Sequence, residues 1–222
     1  MQRRAKVWTG IGAGVVVLGV VGVLVGPGLY ADWANSRADA APTLEAGADA
    51  TAVEAADGTW TVGDGSFAGY RVEEVLRGED VTVTGRTEQV TGTVTVQDGT
   101  LTAAEVEVDM ASIATDEAPR DAYFRDQAVQ TGTYPTATFT LTEPVELGTG
   151  ATSATLVGDL TIRDVTQQVT VDAQVAASGG TVQVVGSVPI TFADYGVEAP
   201  NLGFVSVEDA GAVEFDLRLT SS

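Results

Sequence analysis

Residues 137–142, Ala-Thr-Phe-Thr-Leu-Thr, alternate without a break between an apolar and a hydroxylated side chain. A period of two puts successive side chains on opposite faces of a pleated strand. Ala137, Phe139 and Leu141 therefore share one face, and Thr138, Thr140 and Thr142 the other. The same rhythm runs outward in both directions. Val81 and Val83 alternate with threonines, as do Val94 and Val96, and Val106 and Val108 alternate with Glu105, Glu107 and Asp109. Further on, Val169, Val171, Ala173 and Val175 form one face, and Val213, Phe215, Leu217 and Leu219 another. One apolar and one wet face per run is the pattern of an antiparallel sheet solvated on one side. Asp98-Gly99, Gly148 to Gly150 and Ser178-Gly179-Gly180 supply turns between the runs. Eight or nine strands result, and the domain from residue 59 to 222 reads as an all-β barrel or sandwich.

Composition removes whole classes of chemistry. The chain has 222 residues, no Cys and no His. Thiol nucleophiles, zinc-thiolate clusters and Ser-His-Asp sites cannot be built from it. No catalytic residue and no metal site is expected; the outward row Glu105, Glu107 and Asp109 lacks the pattern of a calcium loop. Composition thus argues against hydrolytic enzymes, and no enzyme activity is expected.

The N-terminal quarter reads differently. Residues 1–6 carry Arg3, Arg4 and Lys6, and residues 7–26 contain no charge. Twenty such residues are long enough to span a bilayer, with the basic end in the cytoplasm. The rival reading is a cleaved signal peptide, for which Ala38-Asp39-Ala40 is the fitting but distant site. Residues 27–58, rich in Ala, Asp and Glu and without apolar period, read as a flexible acidic linker. Trp33 and Tyr30 are placed to touch the membrane interface. All 31 acidic residues follow the apolar run, against eight arginines, so the exported part carries eight minus 31, or −23. Such a surface repels nucleic acid. The expected location is the bacterial cell membrane, single-pass, with the C-terminal domain extracytoplasmic.

One stretch breaks the strand rhythm. Pro119 to Asp126 has no alternation and reads as a short helix, with Pro119 in its first turn and Asp116 or Thr115 as caps. Arg120 and Asp121 at its start read either as a cap and ion pair fixing the excursion or, for Arg120, as a contact for a ligand head group.

Three patches then stand out in order: Arg120-Asp121 with Tyr134-Pro135, Ala137 and Phe139; Gly158-Asp159-Leu160-Thr161-Ile162-Arg163-Asp164-Val165-Thr166; and Asp194-Tyr195-Gly196. In that order among Val/Thr-rich strands, the chain resembles the YceI-like family of bacterial lipid-binding proteins over residues 59–222. The resemblance implies a lipocalin-like, up-and-down antiparallel barrel of about eight strands with a short helical excursion. It also implies a hollow interior that takes up a long isoprenoid-type lipid of the quinone or prenyl-phosphate class. One departure is visible: many relatives carry a His-Ser pair after the opening Trp, whereas Trp60 here leads to Gly65-Ser66.

An eight-stranded barrel either fills with its own side chains or holds one ligand. The apolar faces of the strands are mostly Val, Ala and Leu, and the whole chain has fourteen Phe, Trp and Tyr residues, which favours a cavity. The candidate lining and lid are Tyr70, Val72, Val108, Tyr123, Phe124, Tyr134, Phe139, Leu141, Leu160, Ile162, Phe192 and Phe215, with Arg120 as the candidate head-group contact. The competing reading is a solid-core β-sandwich interaction module without lipid, with the aromatic residues plugging the end of its core.

Overall fold

A computed structural model of the chain describes residues 26, 28–45, 56–178, 180–201, 203 and 205–221. The strand segments are β1 (Gly58–Val62), β2 (Phe67–Leu76), β3 (Glu79–Thr87), β4 (Val90–Gln97), β5 (Thr100–Asp109), β6 (Thr136–Leu141), β7 (Val145–Glu146), β8 (Ser153–Ile162), β9 (Val165–Ser178), β10 (Thr181–Thr191) and β11 (Val205–Ser221). β1 and β2 form one long strand, as do β3 and β4, because β2 pairs with β3 and β1 with β4 along one continuous antiparallel line. β7 is a short addition to β5. The eight resulting strands pair each with its successor, and β11 pairs back to both β1 and β2. This is a closed up-and-down barrel, not a sandwich.

The turns and joints follow from local chemistry. Arg77-Gly78 and Asp98-Gly99 both have positive φ at two successive residues (53° and 90°, 52° and 72°), the geometry that matches strand twist in two-residue hairpins. The joint between β1 and β2 is closed by Ser66, whose hydroxyl donates to the Gly63 carbonyl (2.7 Å) and accepts from the Arg218 amide (2.9 Å). Gly65 beside it has φ of 81°, and a side chain there would meet Arg218. The place where relatives carry His-Ser is therefore a joint against the outward-facing Arg218.

The long strands give the barrel two distinct ends. The upper end carries the β2–β3 and β8–β9 turns, the connection 110–135 and the connection 192–204; the lower end carries the β4–β5 and β9–β10 turns. The expected excursion is present as a helix over Ala118–Tyr123, continued by a π-helical turn over Phe124–Ala128. Its capping differs from expectation. Glu117 stands at the N-cap without a side-chain bond, and Asp121 reaches back to accept from the Thr115 amide and hydroxyl, both at 2.8 Å.

The three sequence patches meet at Arg163. Its guanidinium lies 5.4 Å from the centre of the Tyr134 ring and donates to the Gly196 carbonyl. Gly196 itself is left-handed (φ 65°) and ends the short helix Phe192–Tyr195, a conformation that suits glycine. Tyr195 is buried at 2 % exposure in the upper core with Met110, Ile113, Leu160 and Ile162.

The linker reading needs correction. Residues 28–35 are helical, residues 36–38 turn, and residues 39–45 lie as an irregular strap on the barrel. Ala31 and Ala34, three apart on one helix face, pack on Val72, Val81 and Val83. The Asn35 amide bonds the free edge of β3 twice, donating to the Asp80 carbonyl (3.0 Å) and accepting from the Thr82 amide (2.7 Å). Below it, Arg71 donates to the Asp39 carbonyl (2.6 Å) and Arg86 to that of Ala40. The Glu45 amide then reaches Gln183 (2.9 Å), and Arg218 holds the Glu45 carboxylate (2.6 Å). The strap has no apolar period because polar bonds, most of them through its backbone amides and carbonyls, hold it to the barrel. Residues 46–55 and the expected span 7–26, apart from Gly26, lie outside the described residues. Among the described residues no helix is long and apolar enough to cross a membrane.

Under the strap lies a buried polar strip on the barrel's outer face. Glu214, 3 % exposed, is shared by Arg71 (2.7 Å) and Arg86 (3.5 Å). Removing one partner of such a group leaves buried charge uncompensated. Glu214→Ala is expected to cost about 2 kcal/mol or more, read as a lowered midpoint in urea unfolding at neutral pH. A variant as stable as the parent would show that strap and strip contribute nothing to the fold.

Candidate functional site

The inward faces of the ring strands enclose a cavity of about 1020 Å³ that runs from one end of the barrel to the other. The lower half is bordered by Trp60, Val94, Leu101, Ala151, Leu156 and Val182, and the middle by Val106, Val171, Val184 and Phe215. The upper end is bordered by the helix 118–128, by Phe192 and Tyr195, and by Tyr30 from the docked N-terminal helix. Tyr30 is 40 % exposed, so the cavity reaches solvent at this rim. Ladder pairing satisfies the backbone of the wall, which therefore presents hydrocarbon and few donors.

The lumen stays open because its aromatic rings lie along the wall. Four of the rings that border the cavity each cover a glycine. A methyl group on Gly85 would stand 2.6 Å from the Tyr70 ring, and one on Gly158 2.4 Å from Phe139. One on Gly186 would stand 2.5 Å from Phe215, and one on Gly211 2.8 Å from Phe192. Tyr70 and Gly85 are direct cross-strand partners, as are Phe215 and Gly186. Rings that fold down onto bare backbone leave the axis of the barrel free. Phe124 then stacks on Tyr70 with centroids 5.0 Å apart, closing part of the upper end. Burial pushes the Tyr70 phenol well above its ordinary range.

Most of the candidate residues come together here. Tyr70, Val72, Val108, Tyr123, Phe124, Phe139, Leu160, Ile162, Phe192 and Phe215 all border the cavity, and so does Arg120. Tyr134 and Leu141 do not. Tyr134 lies outside the rim against Arg163. Leu141 is the last residue of the six-residue β6, opposite Gly158 on β8, and does not border the cavity.

The sequence reading passed over Glu74. It sits in phase with Tyr70 and Val72 on β2, so the period of two already turned it inward. Its side chain is 10 % exposed, 3.6 Å from the Arg120 guanidinium, which also pairs with Asp116 at 2.8 Å. Arg120 and Asp121 thus do not pair with each other. Burial, outweighing the attraction of Arg120 and helped by Asp116, holds the Glu74 carboxyl above its ordinary 4.5. The glycines under the rings, Gly85, Gly158, Gly186 and Gly211, are likewise in phase with inward-facing residues of their strands.

A closed eight-stranded meander around an end-to-end apolar tunnel defines a hollow, lipocalin-like barrel. The chain belongs to the YceI-like family: the model of the YceI-like domain matches residues 60–219. Two solved structures share the fold. Burkholderia cenocepacia BcnA aligns with a TM-score of 0.55 at 22 % identity, covering 67 % of this chain and 95 % of its own. A polyisoprenoid binding domain from Saccharophagus degradans, implicated in plant cell wall breakdown, aligns with a TM-score of 0.56 at 20 % identity, covering 75 % of this chain and 100 % of its own. No curated protein matches the chain.

The Glu74 environment gives a pH prediction. A carboxyl whose folded pKa is raised binds protons more readily folded than unfolded, so its charged form opposes folding. The penalty is absent below about 4.5 and complete above the raised value. Glu74→Gln is therefore expected to raise the melting temperature at pH 7, with the gain vanishing as pH falls towards 4.5. A variant less stable than the parent at pH 7 would mean that the ion pair with Arg120 outweighs desolvation.

Proposed function

We propose that the domain binds a long, apolar isoprenoid-type lipid in its tunnel, as a carrier or sequestering protein held outside the cytoplasm on a membrane anchor formed by residues 7–26. The observation that carries this reading is the continuous apolar cavity. Its volume of about 1020 Å³ stands at the top of the ~300–1,000 Å³ typical of small-molecule sites. A tunnel as long as a ten-residue strand measures roughly 30 Å, which suits an extended prenyl chain better than a compact metabolite. At ~0.8 kcal/mol per buried methylene, half of such a chain offsets the cost of association. The polyisoprenoid binding described for the Saccharophagus degradans domain supports the same ligand class. The charge step across residues 7–26, basic before and acidic after, supports the outward location.

Organic extraction of the natively produced protein, followed by mass spectrometry, is expected to yield one isoprenoid lipid in stoichiometric amount. Leu156→Trp in the lower half and Val184→Trp in the middle of the tunnel are expected to abolish retention while the protein stays folded, because open space accepts the added bulk. In a close-packed core the same changes would cost about 1–3 kcal/mol. Unfolding of both variants, with no lipid extracted from the parent, would leave a barrel without cargo and defeat the carrier reading.

A further inference from the structure

We propose that the tunnel selects isoprenoids with an uncharged head group, an alcohol or a quinone, and rejects their phosphate esters. This inference rests on the carrier reading and assigns the selecting residues to the upper rim. Charge along the cavity is confined to that end, where Glu74, Glu117, Asp126, Glu198 and Arg120 border it. Four carboxylates thus face one guanidinium among the described lining residues.

That guanidinium is already engaged. Asp116 holds Arg120 at 2.8 Å and Glu74 stands at 3.6 Å. A phosphate needs the forked donors of an arginine to itself. To obtain them it would have to displace Asp116 and sit beside Glu74, which is too buried to retreat into solvent. Like charges at such separation in a partly desolvated rim repel strongly. A neutral oxygen meets no such barrier. Arginine has five N–H groups, so a carbonyl can take one without displacing a carboxylate, and an alcohol can donate to Glu74. Deeper in the tunnel the hydrocarbon wall gives an anion nothing. The outer surface acts in the same sense, since the chain carries 31 acidic residues against 11 basic ones.

The test compares two lipids that share one tail. Full-length protein is incubated with an equimolar mixture of geranylgeraniol and geranylgeranyl phosphate at pH 8, and the retained lipid is quantified by native mass spectrometry. The alcohol is expected in excess by about tenfold or more. In Glu74→Gln/Asp116→Asn, which frees Arg120, the ratio is expected to shift towards the phosphate. Because both proteins sample the same lipid mixture, that shift separates rim selection from simple partitioning. Equal retention, an excess of phosphate, or a ratio unmoved in the double variant overturns the selection while leaving the carrier reading intact. Retention of neither lipid defeats both.

Discussion

The interior of this barrel is governed by a steric pairing, an aromatic ring laid flat on a residue that has no side chain. Eight strands enclose a space that ordinary side chains can fill, so a hollow barrel of this size needs a reason to stay hollow. Here four of the inward rings, Tyr70, Phe139, Phe192 and Phe215, are folded onto Gly85, Gly158, Gly211 and Gly186. Most of the strand positions between them carry Val, Ala or Leu, which reach less far towards the axis. Hydrophobic burial is then completed on the rings' faces while the centre remains free. Hollowness is thus written into ring and glycine pairs, three of them on neighbouring strands.

The polar groups are sorted by the same alternation. Residues in phase with the rings face a lumen that offers no water, so the inward Glu74 stays at the rim beside Arg120. Residues out of phase face outward, and there the strap converts solvent-facing positions into buried ones. Glu214, Asp216, Gln183 and Thr84 are all under 9 % exposed, although each lies on the face that period-two reasoning assigns to water. Asp216 receives the Gln183 amide at 2.8 Å, and burial raises its carboxyl above the ordinary value. The barrel therefore has an apolar inside and, along one side, a polar outer core.

Much of this was legible because a strand's parity is visible in every residue. The runs around Phe139, Val171 and Phe215 announced both their strands and the faces they turn inward, and the excursion at Pro119 declared itself by breaking the rhythm. The strap did not, since most of its bonds join backbone groups to polar side chains on distant strands. Nor could parity show where β6 ends or that Tyr134 turns away to Arg163. Glu74 and the covered glycines were legible in principle. Their phase was as plain as that of Tyr70, but attention to large apolar residues hid it.

The course of the strap has a consequence for polarity in space. The chain begins its described course at the upper rim, descends the outside of the barrel, and enters β1 from below. Any support joined ahead of residue 28, whether a bilayer, a bead or a fused partner, meets the barrel at the rim where Tyr30 and Arg120 border the cavity. Joined after Ser221, it would meet the lower end instead, where β11 finishes beside β1. The two termini thus set opposite orientations of one tunnel, and the choice of terminus decides which opening faces the support.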